Sequence, residues 1–363
     1  MDGLAIAIAT ALEGILRERY DDFQLLEVDT QGECSYTALL ITTSACEQTK
    51  KIIQAREARF ALNLDITDEA ARVYGHLAPS TRLISTKTLQ INDASPTFYF
   101  YELDLVPGVP YSSLIPRRAS TDSNTFTQQH MLVGHLARFH ARSWRGQSKR
   151  SWHEGKVGSK LVSKIERLSK DLPTPQLRTV AMWAQSLLPL LDILPVVLTH
   201  GDIVPSNIMV HPDSGALKGV VDWVEAEFLP FGLSFYGLEY LLGFPSKRRG
   251  STGDSSTHFI SYDCAPELRA HFWSTLYRKI PELKTDTEML MALHVAKLVG
   301  TLLWFGFAWD GGEVDRVIDQ EKDSEVLAYL EAFLFAEIDA WDEFGKTKSA
   351  GYVWSTWINK CTF

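Results

Sequence analysis

The residues best suited to chemistry lie at positions 195–223, where polar side chains interrupt short apolar runs at fixed places. The first apolar run ends in a turn that carries Asp202, because Gly and Asp tolerate backbone angles that a strand does not. Two further apolar runs flank four turn formers at 212–215 and predict a β-hairpin. Asn207 enters this hairpin and Asp222 leaves it, so strand pairing places their side chains next to each other. We therefore expect Asp202, Asn207 and Asp222 to converge.

Carboxylate and amide oxygens, without thiolate or imidazole, suit a hard cation such as Mg²⁺. This ion keeps part of its water shell and takes further ligands from nucleotide phosphates. On this interpretation Asn207 and Asp222 bind the metal, and Asp202 accepts and orients the proton of an attacking hydroxyl. The pattern predicts metal-assisted phosphoryl transfer. Asp213, in the hairpin turn, is expected only to cap that turn.

The motif His-Gly-Asp at 200–202, the following Asn207 and the motif Val-Asp-Trp at 221–223 resemble the aminoglycoside phosphotransferase and choline kinase family of protein-kinase-like enzymes. The spacing Asp-x-x-x-x-Asn is that of the kinase catalytic loop. The resemblance implies a role for each motif residue: catalytic base for Asp202, metal ligands for Asn207 and Asp222, and bracing of the loop for His200. It also implies that ATP and Mg²⁺ are used and that a hydroxyl of a small molecule is phosphorylated.

Length and composition fit a bilobal enzyme, since 363 residues with 45% hydrophobic content can bury a large core. The resemblance implies an α+β, protein-kinase-like fold. Its nucleotide-binding lobe, 1–106, has a small antiparallel sheet with one helix. Its catalytic and substrate-binding lobe, 107–363, is mainly α-helical. The boundary is placed at the sequence Pro-Gly-Val-Pro at 107–110, which interrupts secondary structure twice.

Charge and cysteine usage limit the partners and the compartment. The net charge of −9 argues against a nucleic-acid partner. Four scattered cysteines without a C-x-x-C pair, and no secretory leader, predict thiols in the cytoplasm. Residues 4–16 predict an amphipathic helix, because Asp2 and Glu13 do not fit a signal peptide. No run reaches the length of a membrane span, so the expected partner is a small molecule and not a membrane.

The phosphate-binding elements are predicted in the first hundred residues. Two strands, 23–28 and 36–42, flank a loop in which Gly32 to Ser35 would cover the phosphates through backbone N–H groups. The next strand, 51–56, needs a cation, and kinases normally place Lys there. The resemblance to the choline kinase type makes Arg56 the first choice, with Gln54 and Lys51 as alternatives.

Two further nucleotide contacts are predicted. Residues 65–77 show helical periodicity, and Glu69 lies next to the apolar stripe, where it is a candidate to pair with the strand cation. The aromatic strand 97–106 precedes the hinge. Its backbone at 102–105, which includes Glu102 and Asp104, would then face the adenine ring.

The rest of the chain is predicted to be mostly helical. His140, on a long helix at 125–144, is interpreted as a core residue that supports the catalytic loop. Glu239 is the nearest acid to the place where the family usually has another Asp. The acidic stretch 310–325 is interpreted as a solvated face, because Arg and Lys are interleaved with the acids. The resemblance implies the alternative that these late acidic residues recognise a cationic substrate. The predicted elements are helices at 160–191, 238–244, 266–280, 285–310 and 324–344, and a Ser/Gly-rich loop at 245–257.

Two other functions stay open at this stage. The strand Lys and a G-x-G-x-x-G loop are missing, which favours a kinase-like protein that binds a nucleotide or metabolite without transferring phosphate. A ligase that activates a carboxylate with ATP would use the same nucleotide site. Substrate identity lies beyond the sequence, because fold-level similarity does not choose a substrate.

Overall fold

The computed structural model describes residues 3–28, 31–32, 34–44, 47–90, 94–249, 255–310 and 313–347. The strands are β1 (Phe23–Glu27), β2 (Tyr36–Ser44), β3 (Glu47–Glu57), β4 (Thr81–Thr88), β5 (Thr97–Asp104), β6 (Val109–Pro110), β7 (Val196–Thr199), β8 (Ile208–Val210), β9 (Leu217–Val220), β10 (Glu227–Pro230), β11 (Gly243–Arg249), β12 (Ser255–Ser261), β13 (Phe307–Asp310) and β14 (Glu313–Val317). The helices are α1 (Gly3–Arg17), α2 (Leu64–Tyr74), α3 (Ser123–Arg145), α4 (Leu161–Asp171), α5 (Pro175–Leu187), α6 (Tyr236–Tyr240), α7 (Ala265–Lys279), α8 (Glu282–Thr285), α9 (Thr287–Phe305) and α10 (Ser324–Thr347).

The small lobe is an antiparallel sheet in the order β1-β2-β3-β5-β4. Side chains alternate between its two faces. Ile53, on β3, belongs to one face, which packs with α1 to form the core of this lobe. Gln54 and Arg56 belong to the opposite face, where Tyr101 on β5 packs with Val224 of the large lobe. The face with Gln54, Arg56 and Tyr101 therefore lines the cleft between the lobes.

Helix α2 is tied to the large lobe more than to the sheet. Its apolar stripe, including Ala70 and Tyr74, belongs to the large hydrophobic core. The Tyr74 ring stacks on Phe139 of α3 at 4.3 Å between centroids, and its hydroxyl donates to the Leu198 carbonyl over 2.8 Å. The division of the chain at residue 106 stays a prediction, and this packing shows that one element before it is shared between the lobes.

The large lobe joins many helices to short strand pairs. Strands β7 and β10 pair with each other, and β6, β8 and β9 form a three-stranded sheet. The linker at 107–110 passes so close to β8 that a Cβ at Gly108 would lie 2.3 Å from the Val210 carbonyl oxygen. The α+β class predicted from the sequence is confirmed.

Several predicted boundaries are wrong. The helix expected at 238–244 is the short α6, and the loop expected at 245–257 is largely the β11–β12 hairpin, although residues 250–254 lie outside the described residues. The helix expected at 285–310 ends at Phe305, and β13 follows. These segments form strands because β13 pairs with β14 and β11 pairs with β12. Strand formation depends on pairing partners and burial more than on local preference.

Two acidic groups of the large lobe have structural partners. Glu239 is buried between Lys297, whose Nζ is 2.7 Å from Oε1, and Arg269, whose Nη2 is 2.7 Å from Oε2. Burial alone would raise the pKa of Glu239, but the two cations hold it below its ordinary value. In the acidic stretch, Arg316 pairs with Asp310 and Asp323 at 2.7 Å each. These contacts assign Glu239, Asp310 and Asp323 to ion pairs of the fold.

Helix α9 corrects the expectation about membrane spans. It is the one described helix that is long and apolar enough to cross a membrane by length and composition. Most of it, 72%, is buried inside the protein. Its apolar residues form part of the large core, and Lys297 within it binds Glu239.

Candidate active site

The predicted hairpin exists and brings Asn207 next to Asp222. Strands β8 and β9 pair antiparallel, with Ile208 opposite Val220. The backbone N–H of Val221 donates to the Asn207 carbonyl over 2.9 Å, which closes the open end of the hairpin. Asn207 and Asp222 therefore flank the last hydrogen bond of the ladder. The local turn sequence and the apolar runs are sufficient to produce this arrangement.

Asp202 follows β7 in a tight loop that leads to Asn207. The Asn207 side-chain Nδ2 donates to the Asp202 carboxylate over 2.8 Å and to its carbonyl over 3.1 Å. Gly201 precedes it with φ of +82°, and a Cβ there would lie 2.2 Å from the Glu225 carbonyl oxygen. Only Gly fits both the backbone angle and the space.

His200 braces this loop against the hairpin. Its Nε2–H donates to the Val221 carbonyl over 2.9 Å, and its Nδ1 accepts from the Asp202 N–H over 3.2 Å. Burial lowers the pKa of His200 to about 4, so the ring is neutral at pH 7 and each nitrogen has one defined role. The arrangement agrees with the bracing role that the resemblance implied.

Asp222 is held in an unusual backbone conformation. With φ of +65°, it is the one residue besides Gly with positive φ in the described part of the chain. Left-handed geometry is tolerated by Asp but costs of order 1 kcal/mol, and such strain concentrates at functional sites. Its side chain is 38% exposed. The carboxylate is thus directed by the backbone while remaining accessible from the cleft.

Arg56 supplies the cation at the cleft face of the sheet. Its Nη2 lies 2.8 Å from the Asp222 Oδ1, and its side chain is only 1% exposed. Its Nε donates to the Gln54 Oε1 over 3.1 Å. The buried Nη1 has no hydrogen-bond partner in the described residues. An unpaired N–H of a buried guanidinium is costly, so this atom marks a place for an anion.

A chain of hydrogen bonds continues from Arg56 to the loop between β1 and β2. Gln54 Nε2 donates to the Thr37 Oγ1 over 3.4 Å, and Thr37 Oγ1 is 3.3 Å from the Ser35 Oγ. Gln31 accepts from the Thr37 N–H over 2.7 Å and donates to the Thr37 carbonyl over 2.9 Å. Gly32 and Ser35 form an isolated antiparallel β-bridge, while Glu33 lies outside the described residues. The loop is therefore connected to Asp222 through side chains.

The predicted pairing of Glu69 with Arg56 is not what the structure shows. Glu69 instead binds Arg72, one turn further along α2, at 2.6 and 2.7 Å. The Arg72 hydrogen bond comes first among the causes that lower the pKa of Glu69. Lys51, an alternative phosphate ligand, forms a salt bridge with Asp104 on the other face of the sheet. Arg56 is thus the cation that reaches the site, and its carboxylate partner is Asp222 instead of Glu69.

The predicted adenine contact through the backbone at 102–105 stays a prediction, and the structure gives Glu102 and Asp104 other partners. Glu102 lies in β5 between β3 and β4, and its side chain points to the α1 side of the sheet, where it binds Arg82 at 2.9 Å and Tyr20 at 2.7 Å. The Asp104 N–H donates to the Ser80 carbonyl over 3.0 Å. Sheet pairing and neighbouring groups occupy both residues. A hinge contact would have to come from residues beyond β5.

The electrostatics of the site centre on Asp202. Burial first, and then the negative charges of Asp222 and Glu225, raise the pKa of Asp202 to about 7, although the Asn207 hydrogen bond opposes this shift. A carboxylate with a pKa near 7 is a stronger base than an ordinary Asp. The third acid, Glu225, was not predicted from the sequence. Its proximity depends on the turn after Asp222.

The donor set suits a hard divalent cation. Because the Asn207 Nδ2 is bound by Asp202, its Oδ1 is the atom left for a cation. The Asp222 Oδ2 is likewise left when Oδ1 pairs with Arg56. Among the described residues there is no group of three or more His, Cys, Asp or Glu that could hold a metal. Two oxygen ligands are nevertheless what Mg²⁺ needs from a protein when phosphates and water complete its shell.

Tyr236 is a supporting residue that the sequence did not reveal. Its hydroxyl donates to the Gly201 carbonyl over 2.9 Å and accepts from the Ile203 N–H over 3.3 Å. The Tyr236 hydroxyl therefore fixes the backbone immediately before and after Asp202. No local pattern around Tyr236 announces this contact, whereas the Gln54 contact with Arg56 could have been found from their i, i+2 spacing on one face of a strand.

Comparison with known proteins finds one matching family model and similar solved structures. The phosphotransferase enzyme family (APH) matches residues 55–232, a range that starts just before Arg56 and ends after the hairpin. The matched range is just under half of the chain and includes the catalytic loop and the β8–β9 hairpin. The predicted resemblance and the predicted enzyme class, a phosphotransferase, are confirmed. No curated protein sequence matches this chain.

Solved structures agree with this fold at low sequence identity. A putative aminoglycoside phosphotransferase from Ralstonia eutropha is 14% identical, with a TM-score of 0.54 over 90% of this chain and 98% of that one. An ethanolamine kinase from Plasmodium vivax is 12% identical, with a TM-score of 0.50 over 90% of this chain and 85% of that one. These similarities confirm the predicted protein-kinase-like fold.

Proposed function

We propose that this protein transfers the γ-phosphoryl group of ATP to a hydroxyl of a small molecule. The observation that carries the proposal is the convergence of Asp202, Asn207 and Asp222 at the end of β7 and the mouth of the β8–β9 hairpin. Arg56 contacts the same group from the cleft face of the sheet. A base, two oxygen ligands and a cation around one cleft are the parts that phosphoryl transfer requires.

Asp202 acts as the general base. The hydroxyl of the acceptor donates its proton to the carboxylate, its oxygen forms a bond to the γ-phosphorus, the bond from that phosphorus to the bridging oxygen breaks, and ADP leaves. Asn207 fixes the carboxylate by its hydrogen bond of 2.8 Å. Tyr236 and His200 hold the loop on either side of Asp202. Such positioning supplies most of the rate in phosphoryl transfer.

Arg56 anchors the phosphates. In the structure it binds Asp222, with Nη1 left for an anion. Asn207 Oδ1 and the Asp222 carboxylate would hold Mg²⁺, which when bound neutralises charge on the transferring phosphate. The loop with Gly32 and Ser35 would cover the phosphates. Its side-chain connection to Arg56 through Gln54 and Thr37 supports that placement.

The test is Asp202→Asn. Asn keeps an oxygen that can accept from the Asn207 side chain but cannot take a proton. We expect kcat to fall on the order of 10³-fold while the dissociation constant of ATP stays within about threefold. Asp171→Asn, on the exposed end of α4, is the matched control and should behave like the wild type. A variant that loses Asp202 and keeps its turnover would show that another group is the base.

A second candidate is a kinase-like protein that binds nucleotide without phosphoryl transfer. The absence of the Glu69–Arg56 pair, replaced by Glu69–Arg72, favours it. Titration calorimetry with ATP and Mg²⁺, together with mass spectrometry of a broad alcohol panel, separates the two functions. Binding without any phosphorylated product would support this candidate. ATP consumption only with both an acid and an amine present would instead indicate a ligase.

A further inference from the structure

A cavity of about 220 Å³ opens beside the catalytic loop, on the large-lobe side. Its walls come from the segment after β6, from the loop between Asp202 and Asn207, and from α6, α10 and the β11–β12 hairpin. The lining residues are Ser112, Ile115, Pro205, Ser206, Tyr240, Gly243, Pro245, Phe259 and Tyr329. None of these described residues carries a formal charge at pH 7.

Aromatic rings form one continuous wall of this cavity. The Tyr329 ring lies 5.3 Å from the Tyr240 ring and 5.6 Å from the Phe259 ring, measured between centroids. Phe333 packs behind them, 5.0 Å from Phe259 and 5.3 Å from Tyr240. All three lining rings are partly buried. Because each ring touches the next, the wall is fixed by packing and presents a largely apolar surface.

The cavity borders the loop that carries the proposed catalytic base. Pro205 and Ser206 lie in the short loop that connects Asp202 with Asn207. The Pro205 carbonyl accepts from the Ser112 N–H over 3.0 Å, so two walls are held together at that loop. Tyr240 also lies within the electrostatic reach of Asp202, whose charge contributes, after burial and Tyr329, to a raised pKa of the Tyr240 hydroxyl.

The chemistry of the lining decides what kind of molecule fits. A polycationic acceptor would have to bury ammonium groups against uncharged walls, and unpaired buried charges are strongly disfavoured. An aromatic cage for a quaternary ammonium places rings on several sides of the cation, whereas the three lining rings here belong to one continuous wall. We propose that this cavity binds the apolar, uncharged body of the acceptor alcohol, with an aromatic or alicyclic ring against Tyr240, Phe259 and Tyr329.

The volume limits the size of that body. An apolar protein cavity of about 150 Å³ accommodates benzene. A cavity of about 220 Å³ therefore takes one six-membered ring with a short alkyl chain, whose terminal hydroxyl extends towards Asp202. The Ser112 and Ser206 hydroxyls offer the few polar contacts that orient such a ligand.

This inference rests on the proposed function, so its test has a binding arm and a turnover arm. Ligand-observed NMR measures binding of 2-phenylethanol to the full-length protein with and without ATP and Mg²⁺. Turnover is measured with 2-phenylethanol, 3-phenylpropanol, choline and kanamycin. We expect kcat/KM to be about tenfold or more higher for the phenyl alcohols than for the two cations.

Substitution of the aromatic wall gives the matched comparison. Phe259→Ala should weaken 2-phenylethanol binding about tenfold and leave the KM for ATP within about twofold. Phe335→Ala, which removes an exposed ring on α10, should change neither quantity. Phe259→Leu, which keeps an apolar side chain, should recover most of the binding.

The outcomes separate the two proposals. If choline or kanamycin is phosphorylated more efficiently than the phenyl alcohols, the assignment of this cavity is overturned and the phosphotransferase function stands. If 2-phenylethanol fails to bind, or binds equally to the wild type and Phe259→Ala, the assignment is also overturned. If binding depends on Phe259 while no acceptor is ever phosphorylated, the cavity assignment stands and the proposed function fails.

Discussion

The catalytic loop with its hairpin and the phosphate anchor meet at Asp222, yet they are assembled from different kinds of sequence information. Asp202, Asn207 and Asp222 come from one stretch, and turn residues and strand pairing within that stretch place them. Arg56 and Gln54 come from a sheet in the other lobe and reach Asp222 across the cleft. The first region is local in sequence, whereas the second depends on how two lobes pack.

This difference bears on how each region should respond to substitution. In the local region each side chain has a backbone-defined place, so a substitution removes one chemical role. In the anchor, Arg56 binds Asp222 and Gln54, and its Nη1 is proposed to bind an anion. Changes there should alter nucleotide affinity in graded steps.

Among the substitutions where the two regions meet, the largest effect is expected from Asp222→Asn. Asp222 is both a proposed metal ligand and the ion-pair partner of Arg56, and the substitution removes its negative charge. We expect kcat to fall on the order of 10²- to 10³-fold. Asp213→Asn, in the exposed turn of the same hairpin, is the control and should retain full activity. Steady-state kinetics over a range of Mg²⁺ concentrations measure the effect. Equal rates for wild type and Asp222→Asn would remove Asp222 from the site.

Arg56→Ala tests the anchor. Hydrogen bonds to charged groups are worth about 1.5–3 kcal/mol, so the KM for ATP should rise on the order of tenfold to a hundredfold. Arg56→Lys keeps the charge without the planar fork and should lose less. Arg59→Ala, 63% exposed just after β3, serves as the control. Thermal unfolding must accompany the kinetics, because the Arg56 side chain is buried.

Gln54→Leu should sharpen the comparison by cutting the link between Arg56 and the loop. Neutral hydrogen bonds are worth about 0.5–1.5 kcal/mol, so the KM for ATP should rise about two- to tenfold with kcat less affected. Gln48→Leu, on the exposed part of the same strand, is the control. If Gln54→Leu changes kcat but not the KM for ATP, the link serves the catalytic step and not nucleotide binding.

The smallest effect is expected from Glu69→Gln. Since Glu69 binds Arg72 and not Arg56, the KM for ATP should change by less than about twofold. Arg72→Gln is its natural companion and should behave alike. A loss as large as that of Arg56→Ala would mean that Glu69 exchanges partners when nucleotide binds, which is the kinase-like arrangement that the sequence suggested.

Prediction from sequence succeeded where the determining contacts are short in range. The hairpin between Asn207 and Asp222, helix α2 and the strands β1 to β3 were all expected, with ends shifted by a few residues. Strand β4 was not predicted, and the β11–β12 hairpin was taken for a loop. Both depend on pairing with a partner strand, which composition does not reveal.

The side chains of the small lobe show the same limit. Alternation along β5 separates Tyr101, on the cleft face, from Glu102 on the opposite face, but which face meets the large lobe is decided by packing. The resemblance made Arg56 the first choice as phosphate ligand, whereas the residues of the strand left Gln54 and Lys51 open as alternatives. The alternation of side chains along β3 separates these candidates, since Lys51 binds Asp104 on one face while Arg56 and Gln54 lie on the cleft face.

By itself the sequence determined the chemistry of the catalytic stretch, because the turn residues at 200–202 and 212–215 permit few backbone paths and those paths bring the oxygen ligands together. The tertiary structure alone decided which cation meets Asp222, which acids are neutralised by ion pairs of the fold, and which aromatic rings line the cavity beside Asp202. The physical reason is the separation along the chain of the residues that interact. Backbone angles and hydrogen bonds within a hairpin are set by neighbouring residues, whereas desolvation, ion pairing and cavity shape arise only when distant segments pack.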